Sequence, residues 1–84
     1  MTKRNACIDF LNEKIDIFCD LVQRFAFGDE KPEVEEVEFA LKDVICFANF
    51  AMERGGITEE EAATSAPRVA QYCALFDEVY KYND

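Results

Sequence analysis

Apolar residues enter the chain at Ile8, Leu11, Ile15, Phe18, Val22 and Phe25, alternating steps of three and four. That spacing lays them along one face of an α-helix, because ~100° of turn per residue returns to the same side every three to four positions. A flanking row of Cys7, Phe10, Ile17 and Leu21 widens the face enough to meet two other helices rather than one. Asn5 or Thr2 can cap the start, and Gly28 stands where a C′ glycine belongs. The turn Gly28-Asp29-Glu30-Lys31-Pro32 follows. Pro32 suits the first position of a second helix, and Glu33, Glu35 and Glu36 fall where the helix dipole favours anions. The second apolar stripe is Val34, Val37, Leu41, Val44, Ala48 and Ala51, and Gly55-Gly56 ends it after Arg54.

The third start is the clearest local signal. Thr58 with Glu61 spells a capping box, and Ile57 with Ala62 supplies the hydrophobic staple around it. The stripe then runs Ala62, Ala66, Val69, Cys73, Phe76 and Tyr80, flanked by Tyr72, Leu75 and Val79. Pro67 falls inside it, removing one helical hydrogen bond and crowding the preceding turn. A kink or a break near Ser65 is expected there, with Ser65 able to cap a restarted helix. The pattern predicts an all-α fold: a compact three-helix antiparallel bundle over residues 1–84, with helices near 5–27, 32–54 and 58–82 and the third kinked or broken near Pro67. Short links favour antiparallel packing of successive helices. An extended hairpin that completes its core only as a dimer is the alternative.

Composition narrows the functional classes. Half the residues are hydrophobic, with eight Phe and no Trp, more than a disordered chain carries. Nine Lys and Arg against eighteen Asp and Glu give a net charge of −9. That balance opposes direct binding to nucleic acid or to anionic lipid and suits a protein partner with a basic surface. The first fourteen residues, MTKRNACIDFLNEK, hold no apolar run, so no signal peptide is expected, and no stretch is long enough to span a bilayer. A cytoplasmic location with reduced thiols follows as the expectation. Cys7, Cys19, Cys46 and Cys73 form no CxxC pair and no histidine is present, so neither a metal nor another cofactor is expected. The missing histidine, the lone Ser65 and the absence of a Gly-rich phosphate loop argue against an enzyme, and no catalytic residue is nominated.

Two surface features remain. Asp9, Glu13, Asp16 and Asp20 recur at helical spacing and form one acidic ridge opposite the core face, while Lys14, within the same segment, points elsewhere. From Asp9 to Asp20 the ridge spans ~16 Å, about one charge per 4–5 Å at helical rise. Duplex DNA carries one per ~1.7 Å, so a single ridge is too sparse to imitate it, although ridges from two subunits approach that density. The ridge reads either as a site for a basic partner or as a solvated outer face. The second feature is Phe39, Cys46 and Phe50, a row on the side of helix 2 that faces away from its own core stripe. A helix apolar all round is buried all round. Either a bent third helix covers this row, or it meets another molecule, a symmetric dimer being the default.

The sequence thus suits a non-enzymatic accessory inhibitor or regulator. It would be of the phage or mobile-element type, such as an anti-CRISPR or anti-restriction protein, and would block a basic, nucleic-acid-binding surface of a partner protein. The alternative is a structural or chaperone-like obligate homodimer built on the outer face of helix 2. No residue resembles a motif specific enough to name a family.

Overall fold

The computed structural model describes the backbone of residues 3–83 and the side chains of residues 6–81. It consists of α1 (Lys3–Phe27), α2 (Val34–Glu53) and α3 (Glu59–Asn83), with no strand among the described residues. The three-helix bundle expected from periodicity is the fold. Of the proposed caps for α1, Thr2 lies outside the described residues, and Asn5 falls inside the helix rather than at its end.

α1 is the central member. It packs along both α2 and α3, which meet each other only over a short stretch. Cross-helix pairs fix the directions. Lys14 pairs with Asp43 and Phe10 with Phe47, so positions on α2 fall as those on α1 rise, and the two run antiparallel. Asp16 pairs with Arg68, Gln23 with Tyr72 and Phe25 with Phe76, so α3 returns parallel to α1. The result is an elongated body, 42 × 19 × 17 Å between Cα atoms.

The core forms around the α1 stripe. Leu11, Ile15, Phe18, Val22 and Phe25 are buried, with Cys19 beside them, and they meet Val37, Ala40, Val44 and Ala51 of α2. α3 contributes less. Phe76 is buried, but Ala66 and Tyr80, both expected in its core stripe, are exposed. The cause is the thin α2–α3 contact: with no second neighbour at hand, the α3 stripe is covered along one side only. Phe10 and Ile17, expected to widen the covered face of α1, are likewise half exposed.

The connections explain where the helices stop. Gly28 N–H donates to the Arg24 carbonyl at 2.9 Å, closing α1. Its backbone is not left-handed; a Cβ there would stand 2.7 Å from the Arg24 carbonyl oxygen, so the glycine serves close approach. Pro32 lies before the cap rather than at the first helical position. Glu33 takes an extended backbone as N-cap of α2, φ −68° and ψ 149°, which shifts the start two residues on. At the other end, Gly55 N–H reaches the Met52 carbonyl and Gly56 N–H the Ala51 carbonyl, with Gly55 at φ 75°. This is the Schellman closure that favours glycine. The capping box opens α3 as expected: Glu61 N–H donates to Thr58 Oγ1 at 3.1 Å, and Thr58 N–H to Glu61 Oε1 at 2.8 Å. Ile57 of the staple is buried. The chain stays helical across Pro67, so the break with a restart at Ser65 does not form. Pro67 is exposed, and its lost hydrogen bond falls on a face open to solvent.

Candidate functional site

The two faces of α1 that flank its core stripe differ in kind. On the α3 side the polar groups are stitched. Arg68 Nη1 lies 2.8 Å from Asp16 Oδ1, and Gln23 Nε2 donates to Tyr72 Oη at 2.8 Å. Burial pushes the Cys19 thiol above its ordinary 9.0, opposed by the nearby Arg68 guanidinium, and burial likewise raises Cys73 on the facing helix. The hydrogen bond to Asp16, seconded by Cys19, moves Arg68 further above its ordinary value. These groups hold two helices together, and the raised thiols are poorer nucleophiles for it.

The acidic ridge lies along this edge, and the structure divides it. Asp16 is engaged by Arg68 from α3, and Asp20 accepts from Arg24 Nε at 3.0 Å, one helical turn along the same helix. Only Asp9 and Glu13 stay exposed with no ion pair among the described residues. The ridge exists as a line of positions, but half of its charge is compensated on the molecule itself. Arg24 lies one turn beyond Asp20, so i,i+4 spacing could have shown that half in advance. Arg68 could not be placed without knowing the register of α3. Lys14 does point elsewhere, across to Asp43 on α2 at 2.7 Å.

On the α2 side the apolar groups are open. Phe39 is 71% exposed and Phe50 52%, with Cys46 exposed between them. α3 does not cover this row. Phe10 and Ile17 of α1, 50% and 53% exposed, join it across the α1–α2 seam. The Phe10 and Phe47 rings stand 5.2 Å apart, Lys14 Nζ lies 4.8 Å from the Phe10 ring centre, and the Arg54 guanidinium carbon 4.7 Å from that of Phe50. The face is therefore aromatic, with its cations laid over rings or tied to Asp43. Helical periodicity alone locates the α2 half of this face; for the α1 half it predicts a place on the flank of the core.

The seam opens into a pocket of about 450 Å³, with Ile17 and Leu21 on one wall, Phe39 and Ala40 on the other, Glu35 and Glu36 at one end and the Lys14–Asp43 pair at the other. A second opening of about 290 Å³ runs between α2 and α3 over Leu11 and Ile15, lined mainly by apolar side chains, four alanines among them, and carrying no charged group. Among the described residues no three Cys, Asp or Glu side chains gather as metal ligands do, and no helix is long and apolar enough to cross a membrane.

No protein-family model, curated protein or solved structure matches the chain.

Proposed function

We propose that this protein is a non-enzymatic interaction module that works by occupying a basic surface of a partner protein. The observation that carries the reading is the exposed aromatic face of α1 and α2, where Phe39, Phe50, Phe10 and Ile17 stand open together. Monomeric proteins rarely expose contiguous apolar patches of this kind without using them. The long side of the body, about 42 × 19 Å, can present the ~800 Å² that one partner contributes to a standard interface. Aromatic side chains are the anchors such interfaces favour. The net charge of −9 selects a basic partner and steers its approach. A basic nucleic-acid-binding surface fits that description. The accessory inhibitors of phages and mobile elements, anti-CRISPR and anti-restriction proteins among them, act on such surfaces, and the present chain would act likewise in the cytoplasm.

The experiment is capture of the partner from the source cell, with wild type and the Phe39→Asp/Phe50→Asp double variant side by side. The variant should keep its helicity and cooperative melting and lose the captured protein. An unfolded variant, or one that captures as well as wild type, would remove the aromatic face from the function. A homodimer through the same face remains the second reading. It predicts that wild type has twice the monomer mass by light scattering and that the double variant has the monomer mass.

A further inference from the structure

The charge of the chain is unevenly distributed, and its densest part adjoins a pocket in the aromatic face. Between Asp29 and Glu38 stand six carboxylates (Asp29, Glu30, Glu33, Glu35, Glu36, Glu38) and one cation, Lys31. That is −5 of the chain's −9, and all seven side chains are exposed. Glu35 and Glu36 form one end of the pocket whose walls are Ile17, Leu21, Phe39 and Ala40. Two cations of α1 near the pocket are engaged by other carboxylates. Lys14 is held by Asp43 at 2.7 Å, and Arg24, one turn beyond Leu21, is held by Asp20.

We infer that this pocket receives one large apolar side chain from a basic segment of the partner, with Lys or Arg beside that anchor meeting Glu35 and Glu36. The inference rests on the interaction reading above and locates its anchor. The apolar walls desolvate the anchor, and the carboxylates at the open end reject acidic segments and attract basic ones. A second copy of this chain is the poorer occupant, because its strongest surface charge is of the same sign. Nucleic acid is excluded on the same ground.

The test uses two synthetic amphipathic peptides of identical charge, lysine-rich, one with a single Leu anchor and its twin with Ala there. Each is titrated into the isotope-labelled full chain. The Leu peptide should bind about tenfold or more tightly than its twin, and its amide shift changes should centre on Ile17, Leu21, Phe39 and Ala40. Phe39→Ala, at an exposed position, should melt as wild type does and bring the twins to within about twofold. Glu35→Gln with Glu36→Gln keeps the N-terminal geometry of α2. It should weaken both peptides and flatten their salt dependence. Twins that bind equally to wild type, or shifts scattered over every acidic surface, overturn the inference, as does a dimer mass abolished by Phe39→Ala. The broader reading fails separately. If Phe10→Asp with Phe50→Asp abolishes partner capture while Phe39→Ala leaves it intact, the face is right and the pocket wrong. If capture survives both, the face itself is wrong.

Discussion

The two sides of α1 show how differently one helix can treat its neighbours. Toward α3, surplus polarity is resolved within the molecule, where Arg68 meets Asp16 and Gln23 meets Tyr72, and the Phe25 and Phe76 rings pack with their centres 5.1 Å apart. Toward α2, the buried row Ile15, Phe18 and Val22 is complete, yet Phe10, Ile17, Phe39 and Phe50 lie outside it, each exposed over half or more of its surface. Among the described residues α2 and α3 scarcely touch, and α3 does not cover that excess. The apolar surplus is therefore separable from the fold, which leaves it free to serve contact with another molecule. On the α3 side, chemistry and stability cannot be pulled apart in this way.

The sharpest way to break this comparison is to truncate one phenylalanine of each kind. Phe18 is fully buried at the centre of the bundle. Phe18→Ala should cost about 3–5 kcal/mol, a large share of the 5–15 kcal/mol that a domain of this kind has in total. Urea unfolding should show a greatly lowered midpoint or no folded baseline. Phe39→Ala, on the open face, should stay within about 0.5 kcal/mol of wild type. Equal losses at the two positions would show that the aromatic face belongs to the core.

The thiols divide along the same line. Cys46 is exposed on the aromatic face, whereas Cys19 is buried in the α3 seam with its thiol raised by that burial. At pH 8 a soluble thiol reagent should modify Cys46 at least about tenfold faster than Cys19, since reaction requires both access and thiolate. Because the folded state favours the protonated Cys19, its contribution to stability should be intact below the ordinary thiol value of 9.0 and fall as pH rises above it. Mass spectrometry of partly labelled protein would give the order of reaction. Cys19 reacting as fast as Cys46 would show that the α3 seam opens readily.

A smaller effect is expected at the start of α3. Thr58→Ala removes one half of a capping box that is complete in the structure, and should lower stability by about 1 kcal/mol. Glu61→Gln, which preserves the reciprocal bond to Thr58 N–H, should cost less. Thermal melts of the two variants test the difference.

These expectations also mark what could be read without coordinates. The capping box and the α1 stripe were legible because each depends on residues within one helix. So was the Phe39, Cys46 and Phe50 row, whose shared side follows from helical pitch alone. The exposure of Phe10, Ile17, Ala66 and Tyr80 was not legible, because it depends on where the neighbouring helices lie. Periodicity states which side of a helix is apolar; how much of that side is covered depends on the register and tilt of another element. The pocket at Phe39 needed the same information, since Ile17 and Phe39 are twenty-two positions apart in sequence and become neighbours only in the antiparallel α1–α2 pair. The charge run from Asp29 to Glu38 was in plain view but had no meaning until the pocket stood beside it.

The smallest effects belong to the ridge, and they bear most directly on how the partner is reached. Neutralising Asp9, Glu13, Asp16 and Asp20 together would mix two cases that the structure separates. Asp9→Asn with Glu13→Gln removes charges that have no ion-pair partner among the described residues, and relieves repulsion of a few tenths of a kcal/mol between like charges four residues apart. Stability should hold or rise slightly. Asp16→Asn with Asp20→Asn instead breaks the contacts to Arg68 and Arg24, both solvent-exposed pairs worth about 0–1 kcal/mol each. Stability should fall by that small amount, and two freed guanidinium groups would face outward. Each double variant removes two negative charges, so long-range attraction of a basic partner over the ~8 Å screening length should decline by a similar amount in both. A local contact breaks this symmetry. If Asp9 and Glu13 touch the partner, their variant slows association and speeds dissociation, while the Asp16/Asp20 variant only slows association. Rates measured across a salt series separate the two cases. Identical behaviour of the two variants would mean that the ridge acts only as part of the overall negative field, with the contact itself made at the aromatic face.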